Sequence, residues 1–164
     1  MSIDKELVEL AQKVIDENRA AGRRLATAES CTGGLVAAAL TEIAGASDVV
    51  DRAFVTYSNE AKTEMLGVSD DILSTLGAVS EATAWAMAQG ALAKSHADVA
   101  VAVSGIAGPG GGTEKKPVGT VVFARAIRDQ TQGPVIADTH HFGDLGRAEI
   151  RRQAALVALR LLLP

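Results

Sequence analysis

A single cysteine, Cys31, rules out an internal disulfide and with it a small disulfide-framed scaffold. Aromatic residues make up only 3% of the chain, three Phe with one Trp and one Tyr, which offers few platforms for stacking bases. Basic charge is not in excess: 16 Lys and Arg against 20 Asp and Glu give a net charge of −4 and no global pull toward polyanions. Nucleic acid is therefore not an expected partner. Long apolar runs are missing as well. The most apolar stretch, residues 154–163, is interrupted by Arg160 and falls far short of the roughly 20 residues of a membrane span. Asp4, Lys5 and Glu6 make the N-terminus polar where a secretory signal would be apolar. The expectation is a cytoplasmic protein with no membrane partner. His140 and His141 are adjacent, so in a strand they point to opposite faces, and His96 is isolated; no metal site emerges.

What is present is material for a core. Hydrophobic residues make up 48% of the 164 positions and charged residues 22%, with abundant Ala and Gly, which suits one α/β domain of closely packed aliphatic layers. Residues 3–21 place Ile3, Leu7, Leu10, Ala11, Val14 and Ile15 near helical spacing and stop at Gly22. A short strand over 24–28 and a helix over 35–43 flank the polar turn Glu29-Ser30-Cys31-Thr32-Gly33-Gly34. A second strand, 49–57, runs into Ser58-Asn59, which caps a helix through Leu66. Ser69 and Ser80 open two more helices, to Leu76 and Lys94. A third strand, 98–104, enters the glycine-rich loop 105–112, strands 119–127 and 134–142 pair across the turn 128–133, and a helix over 147–163 closes the chain. No linker, repeat or low-complexity tract divides it.

Three strand ends thus carry unusual sequence, and in α/β sheets ligands gather beyond the carboxyl ends of strands. At the first, Ser30 sits before a helix whose free N–H groups could hold an oxyanion or a phosphate, and Gly33 and Gly34 allow close approach to the backbone. The same residues read equally as a turn with Ser30 or Thr32 as helix cap. At the second, Lys62 lies near a helix start, where the dipole disfavours the cation; a neutral Lys62 could take the proton of a serine hydroxyl, with Tyr57 as relay. The plainer reading is a solvated Lys62 and a half-buried Tyr57. Cys31 is either a low-pKa nucleophile or a small buried side chain. The third end, Ser104 through Gly112, suits phosphate or ribose but lacks both the Walker lysine and the GxGxxG spacing. Arg147 or Arg151 could supply the charge for a phosphate.

These blocks, Thr27 to Gly34, Tyr57 to Lys62, Gly77 to Ser80, Ser104 to Pro109 and Lys116 to Val121, occur in order along the chain. In them the sequence resembles the CinA C-terminal domain family over essentially its whole length. The resemblance implies a single three-layer α/β/α domain with a central mixed sheet. It also implies hydrolysis of nicotinamide mononucleotide to nicotinate mononucleotide and ammonia, with neither metal nor organic cofactor. Ser30 would be the nucleophile, with Tyr57 and Lys62 completing the catalytic group. Cys31, Thr32, Gly33, Gly34, Ser104, Gly105, Gly108, Gly110 and Arg147 would bind the substrate. The family usually runs from an aromatic residue through Gly-Asp directly to Arg, whereas Leu145-Gly146 intervene here before Arg147. Many relatives carry a further N-terminal domain, for which 164 residues leave no room. The rival readings are a non-catalytic nucleotide-binding module and a serine–lysine amidohydrolase for another amide. The Ala-rich faces and apolar last helix suit a homo-oligomer, although one subunit could bury the same stripe internally.

Overall fold

The computed structural model describes residues 2–130 and 134–164. Among them, a five-stranded mixed sheet runs in the order β2-β1-β3-β4-β5 between two helical layers. The strands are β1 (Leu25–Glu29), β2 (Val50–Val55), β3 (Val99–Gly105), β4 (Thr120–Ile127) and β5 (Ile136–His141). β1 pairs in parallel with β2 and β3, while β4 and β5 run antiparallel. The helices are α1 (Lys5–Ala21), α2 (Leu35–Thr41), α3 (Asn59–Leu66), α4 (Asp70–Leu76), α5 (Glu81–Ala93) and α6 (Arg147–Leu161). None of the described helices is long and apolar enough to cross a membrane.

The alternation of strand side chains sorts the residues into two cores. Val99, Val101 and Val103 of β3, with Val121 and Phe123 of β4, face α1, α2 and α6. Ala100, Ala102, Ala124 and Ala126 face the other way, toward α5, whose Ala84, Ala88 and Ala91 complete a layer of small side chains. Small against small brings the layers close. A Cβ added at Gly90 of α5 would overlap the Leu66 carbonyl of α3, so this glycine sets how near α3 lies. The apolar stripe of α6, including Ile150, Ala154, Leu156 and Leu159, is buried against α1, α2 and β3 and is therefore used within the subunit.

The expected elements are all found, with ends that coincide or shift by no more than two residues. Asp4, Ser58, Ser69 and Ser80 each cap a helix with the side chain, and Gly22 and Gly67 end helices in the left-handed conformation. The helix expected over 35–43 stops at Thr41, and a short 3-10 turn, Ala46–Asp48, leads into β2. Neither Ser30 nor Thr32 caps α2: Gly34 occupies that position, at φ 100°, with no side-chain hydrogen bond of its own. Of the turn expected over 128–133, residues 131–133 lie outside the described residues.

Candidate active site

Two neighbouring strands, β1 and β3, send their connections in opposite directions, β1 through α2 to β2 and β3 to β4 on the other side. Their carboxyl ends therefore open a crevice of the kind in which α/β sheets bind ligands. A cavity of about 190 Å³ lies there, lined by Ser30, Cys31, Tyr57, Lys62, Ala78, Val79, Ser104, Gly105, Ala107 and Arg147. A larger hollow of about 450 Å³ beside Trp85 and Arg128 brings together no hydroxyl and amine.

Ser30 is the first residue past β1; its N–H donates to the Val103 carbonyl at 2.9 Å, which continues the β1–β3 pairing and fixes the backbone. Lys62 arrives from α3. The Ser58 side chain accepts from Ala61 N–H at 3.0 Å and sets the helix start, so that Lys62 and Leu66, four residues apart, form its buried face. The Lys62 Nζ donates to Ser30 Oγ at 3.0 Å and to the Thr56 carbonyl at 2.7 Å. No carboxylate pairs with it among the described residues, and only 1% of the residue is exposed. Burial therefore holds the amine below its ordinary pKa, with a smaller opposing effect from Cys31. The sequence offered the helix dipole with burial added to it as the reason, and burial is the leading cause here. Burial has the opposite effect on the neighbouring thiol, pushing Cys31 up to about 12, which is not the setting of a reactive thiolate.

Tyr57 is neither half-buried nor joined to the serine–lysine pair. It is 62% exposed, and its hydroxyl accepts from Arg147 Nη2 at 2.8 Å. Arg147 Nη1 donates to the Gly108 carbonyl at 2.8 Å, so the guanidinium bridges the end of β2 and the glycine-rich loop across the cavity mouth. Arg151, one turn further along α6, turns instead to the loop after β1, where its Nε and Nη2 donate to the Cys31 and Thr32 carbonyls, each at 3.0 Å. Ser104 donates to the Ala78 carbonyl at 2.8 Å, which ties β3 to the loop before α5.

Of the residues expected to bind substrate, Cys31, Ser104, Gly105 and Arg147 line the cavity, while Thr32, Gly33, Gly34, Gly108 and Gly110 are not on its wall. Thr32 is buried, with its hydroxyl on Glu29, and Gly33 backs onto the Arg151 guanidinium. The α2 amides expected to be free are partly taken: Val36 and Ala37 donate to the Glu29 carboxylate. Arg151, one of the two arginines expected to hold a phosphate, grips the turn instead, and the roles of Glu29 and the Thr56 carbonyl escaped the reading by sequence. A helix opening on glycine with no side-chain cap was the available signal that an acceptor must come from elsewhere.

Residues 7–164 match the family model of the CinA C-terminal domain. The nicotinamide-nucleotide amidohydrolase PncC of Escherichia coli (strain K12) is 51% identical over 160 residues, covering 97% of this chain and 94% of that protein. Among solved structures, the competence/damage inducible protein CihA from Agrobacterium tumefaciens superposes with a TM-score of 0.93 at 52% identity, covering 99% of this chain and 96% of the other. The competence damage-inducible protein A (ComA) from Klebsiella pneumoniae subsp. pneumoniae MGH 78578 gives 0.88 at 41% identity, with 95% and 94% covered. With fold, site blocks and whole-length similarity in agreement, the chain belongs to the CinA C-terminal domain family.

Proposed function

We propose that this protein is a serine–lysine amidohydrolase that converts nicotinamide mononucleotide and water to nicotinate mononucleotide and ammonia. The observation that carries the reading is the buried contact between Lys62 Nζ and Ser30 Oγ at 3.0 Å, on the wall of the cavity at the end of β1. The 51% identity to a nicotinamide-nucleotide amidohydrolase supplies the substrate class.

A serine hydroxyl is a weak nucleophile until a base takes its proton. Burial lowers the Lys62 pKa and so enlarges the neutral fraction, which can accept that proton while one N–H stays on the Thr56 carbonyl. Ser30 Oγ then attacks the carboxamide carbon. The tetrahedral oxyanion needs donors, and the candidates are the N–H of Cys31 and that of Thr32, the latter meeting no backbone or side-chain acceptor among the described residues. On collapse the C–N bond breaks, and the proton held by Lys62 leaves with the nitrogen as ammonia. Water, deprotonated by the same amine, cleaves the acyl-enzyme and restores the Ser30 hydroxyl.

The cavity of about 190 Å³ suits the carboxamide-bearing ring. The ribose phosphate then extends toward the open mouth, where Tyr57 and Arg147 stand and the glycine-rich loop begins at Gly105. Ammonia release from the mononucleotide by the purified protein, beside free nicotinamide and the Ser30→Ala variant, tests this reading. Turnover of the mononucleotide alone, lost in the variant, is expected. Full activity of Ser30→Ala would remove the nucleophile, and binding without turnover would make the protein a nucleotide-binding module.

A further inference from the structure

The turn that carries Ser30 is held from both sides by groups that do not enter the cavity. On one side Arg151 takes the carbonyls of Cys31 and Thr32. On the other stands Glu29, wholly buried at the end of β1. Its Oε1 accepts from the Thr32 hydroxyl at 2.7 Å and from Val36 N–H at 2.9 Å, and its Oε2 from Ala37 N–H at 3.1 Å and the Thr27 hydroxyl at 3.4 Å. All four partners are donors, which is the environment of a carboxylate. No lysine or arginine pairs with it among the described residues.

A charged group is not buried without a reason. α2 has only seven residues and opens on Gly34, which provides no cap, so its first amides would be orphaned. The alternation of β1 places Thr27 and Glu29 on the face that α2 packs against. From there the carboxylate reaches amides seven and eight residues ahead and serves as a cap supplied from the strand. The capped helix and the Arg151 clamp leave the 30–34 turn one shape. We propose, on the basis that Ser30 is the nucleophile, that Glu29 is a positioning residue for the reaction: by capping α2 and holding Thr32 it aims Ser30 Oγ at Lys62.

Glu29→Gln tests this, because it keeps the size of the side chain but turns an amide N–H₂ toward a backbone N–H or a hydroxyl. A displacement of about 1 Å in a reacting group can cost on the order of a hundredfold in rate. The expected result is a fall in kcat of about tenfold or more, with KM for nicotinamide mononucleotide changed less than about twofold. The position of the ascending pH–rate limb, which belongs to Lys62, stays where it is. Labelling of Ser30 by a fluorophosphonate, followed by intact mass, slows in proportion to kcat. Thr32→Val, which removes one hydrogen bond and leaves both helix amides capped, gives a smaller loss of the same kind and serves if the glutamine variant does not fold. A variant kcat equal to that of the wild type, or a loss residing in KM, overturns the inference. Absence of both turnover and labelling in the wild type overturns the nucleophile reading and this inference with it, whereas wild-type labelling matched by an equal rate in Glu29→Gln overturns the positioning role alone.

Discussion

Replacing Lys62 by Met separates what this side chain does for the reaction from what it costs the fold. The substitution keeps most of the buried stem but deletes the amine that contacts Ser30 Oγ at 3.0 Å and the Thr56 carbonyl at 2.7 Å. Loss of a general base lowers rates by about 10²–10⁴-fold, and no other amine or imidazole lines the cavity to take its place. Stability responds differently. The Thr56 carbonyl is left buried without its partner, at about 1–3 kcal/mol. The fold is relieved of desolvating an amine, which offsets that loss, and the net change stays within about 2 kcal/mol, or about 4–8 °C in Tm for a chain of this size.

The pH dependence fixes the sign. A lysine whose folded pKa lies below its ordinary 10.5 binds fewer protons folded than unfolded between those two values, so its contribution to stability rises with pH through that window. In the wild type the deamidation rate rises as Lys62 loses its proton and levels off before the ordinary lysine range; in Lys62→Met both the rate limb and this part of the stability profile vanish. Ammonia release and thermal unfolding, each measured from acid to alkaline pH on both proteins, provide the comparison. Retention of more than about a tenth of the wild-type rate, or an ascending limb unchanged in the variant, would refute the assignment of Lys62 as the base.

Arg147→Ala removes a guanidinium whose charge-assisted bonds to a phosphate are worth about 1.5–3 kcal/mol, so KM for the mononucleotide rises about ten- to a hundredfold; equal effects on the riboside lacking the phosphate would assign Arg147 another role. Gly90→Ala forces a methyl against the Leu66 carbonyl of α3 and costs about 1–3 kcal/mol by overpacking, seen in thermal unfolding as a Tm lower by about 2–12 °C; an unchanged Tm would mean that α3 is not held as closely as described. With its thiol at about 12 instead of 9.0, Cys31 carries about a thousandfold less thiolate at neutral pH, and alkylation of the native protein by iodoacetamide should slow accordingly; alkylation at the rate of the unfolded chain would contradict that burial.

The elements were legible because their signals are local. Side-chain caps at Ser58, Ser69 and Ser80 and stops at Gly22 and Gly67 depend on residues within one turn, whereas Asp4, which caps α1, was read as part of the helix. The three polar strand ends were legible for the same reason, as departures from an aliphatic background. Sequence alone could not decide between a solvated and a buried Lys62, since that depends on α5 pressing α3 against the crevice through Gly90. Nor could it separate Arg147 from Arg151. They lie four residues apart on one helix, yet one reaches the cavity mouth and the other grips the turn beneath it.

The order of strands and helices, the aliphatic make-up of the layers and the residue types available for amide chemistry were thus properties of the chain as written. The partnership of Ser30 with Lys62, 32 residues apart, was not. It exists because the connections after β1 and β3 leave in opposite directions and because α3 brings its buried face, with Lys62, to the residue that follows β1. Local sequence sets local conformation; a lysine's protonation and a serine's aim depend on what the rest of the fold packs around them.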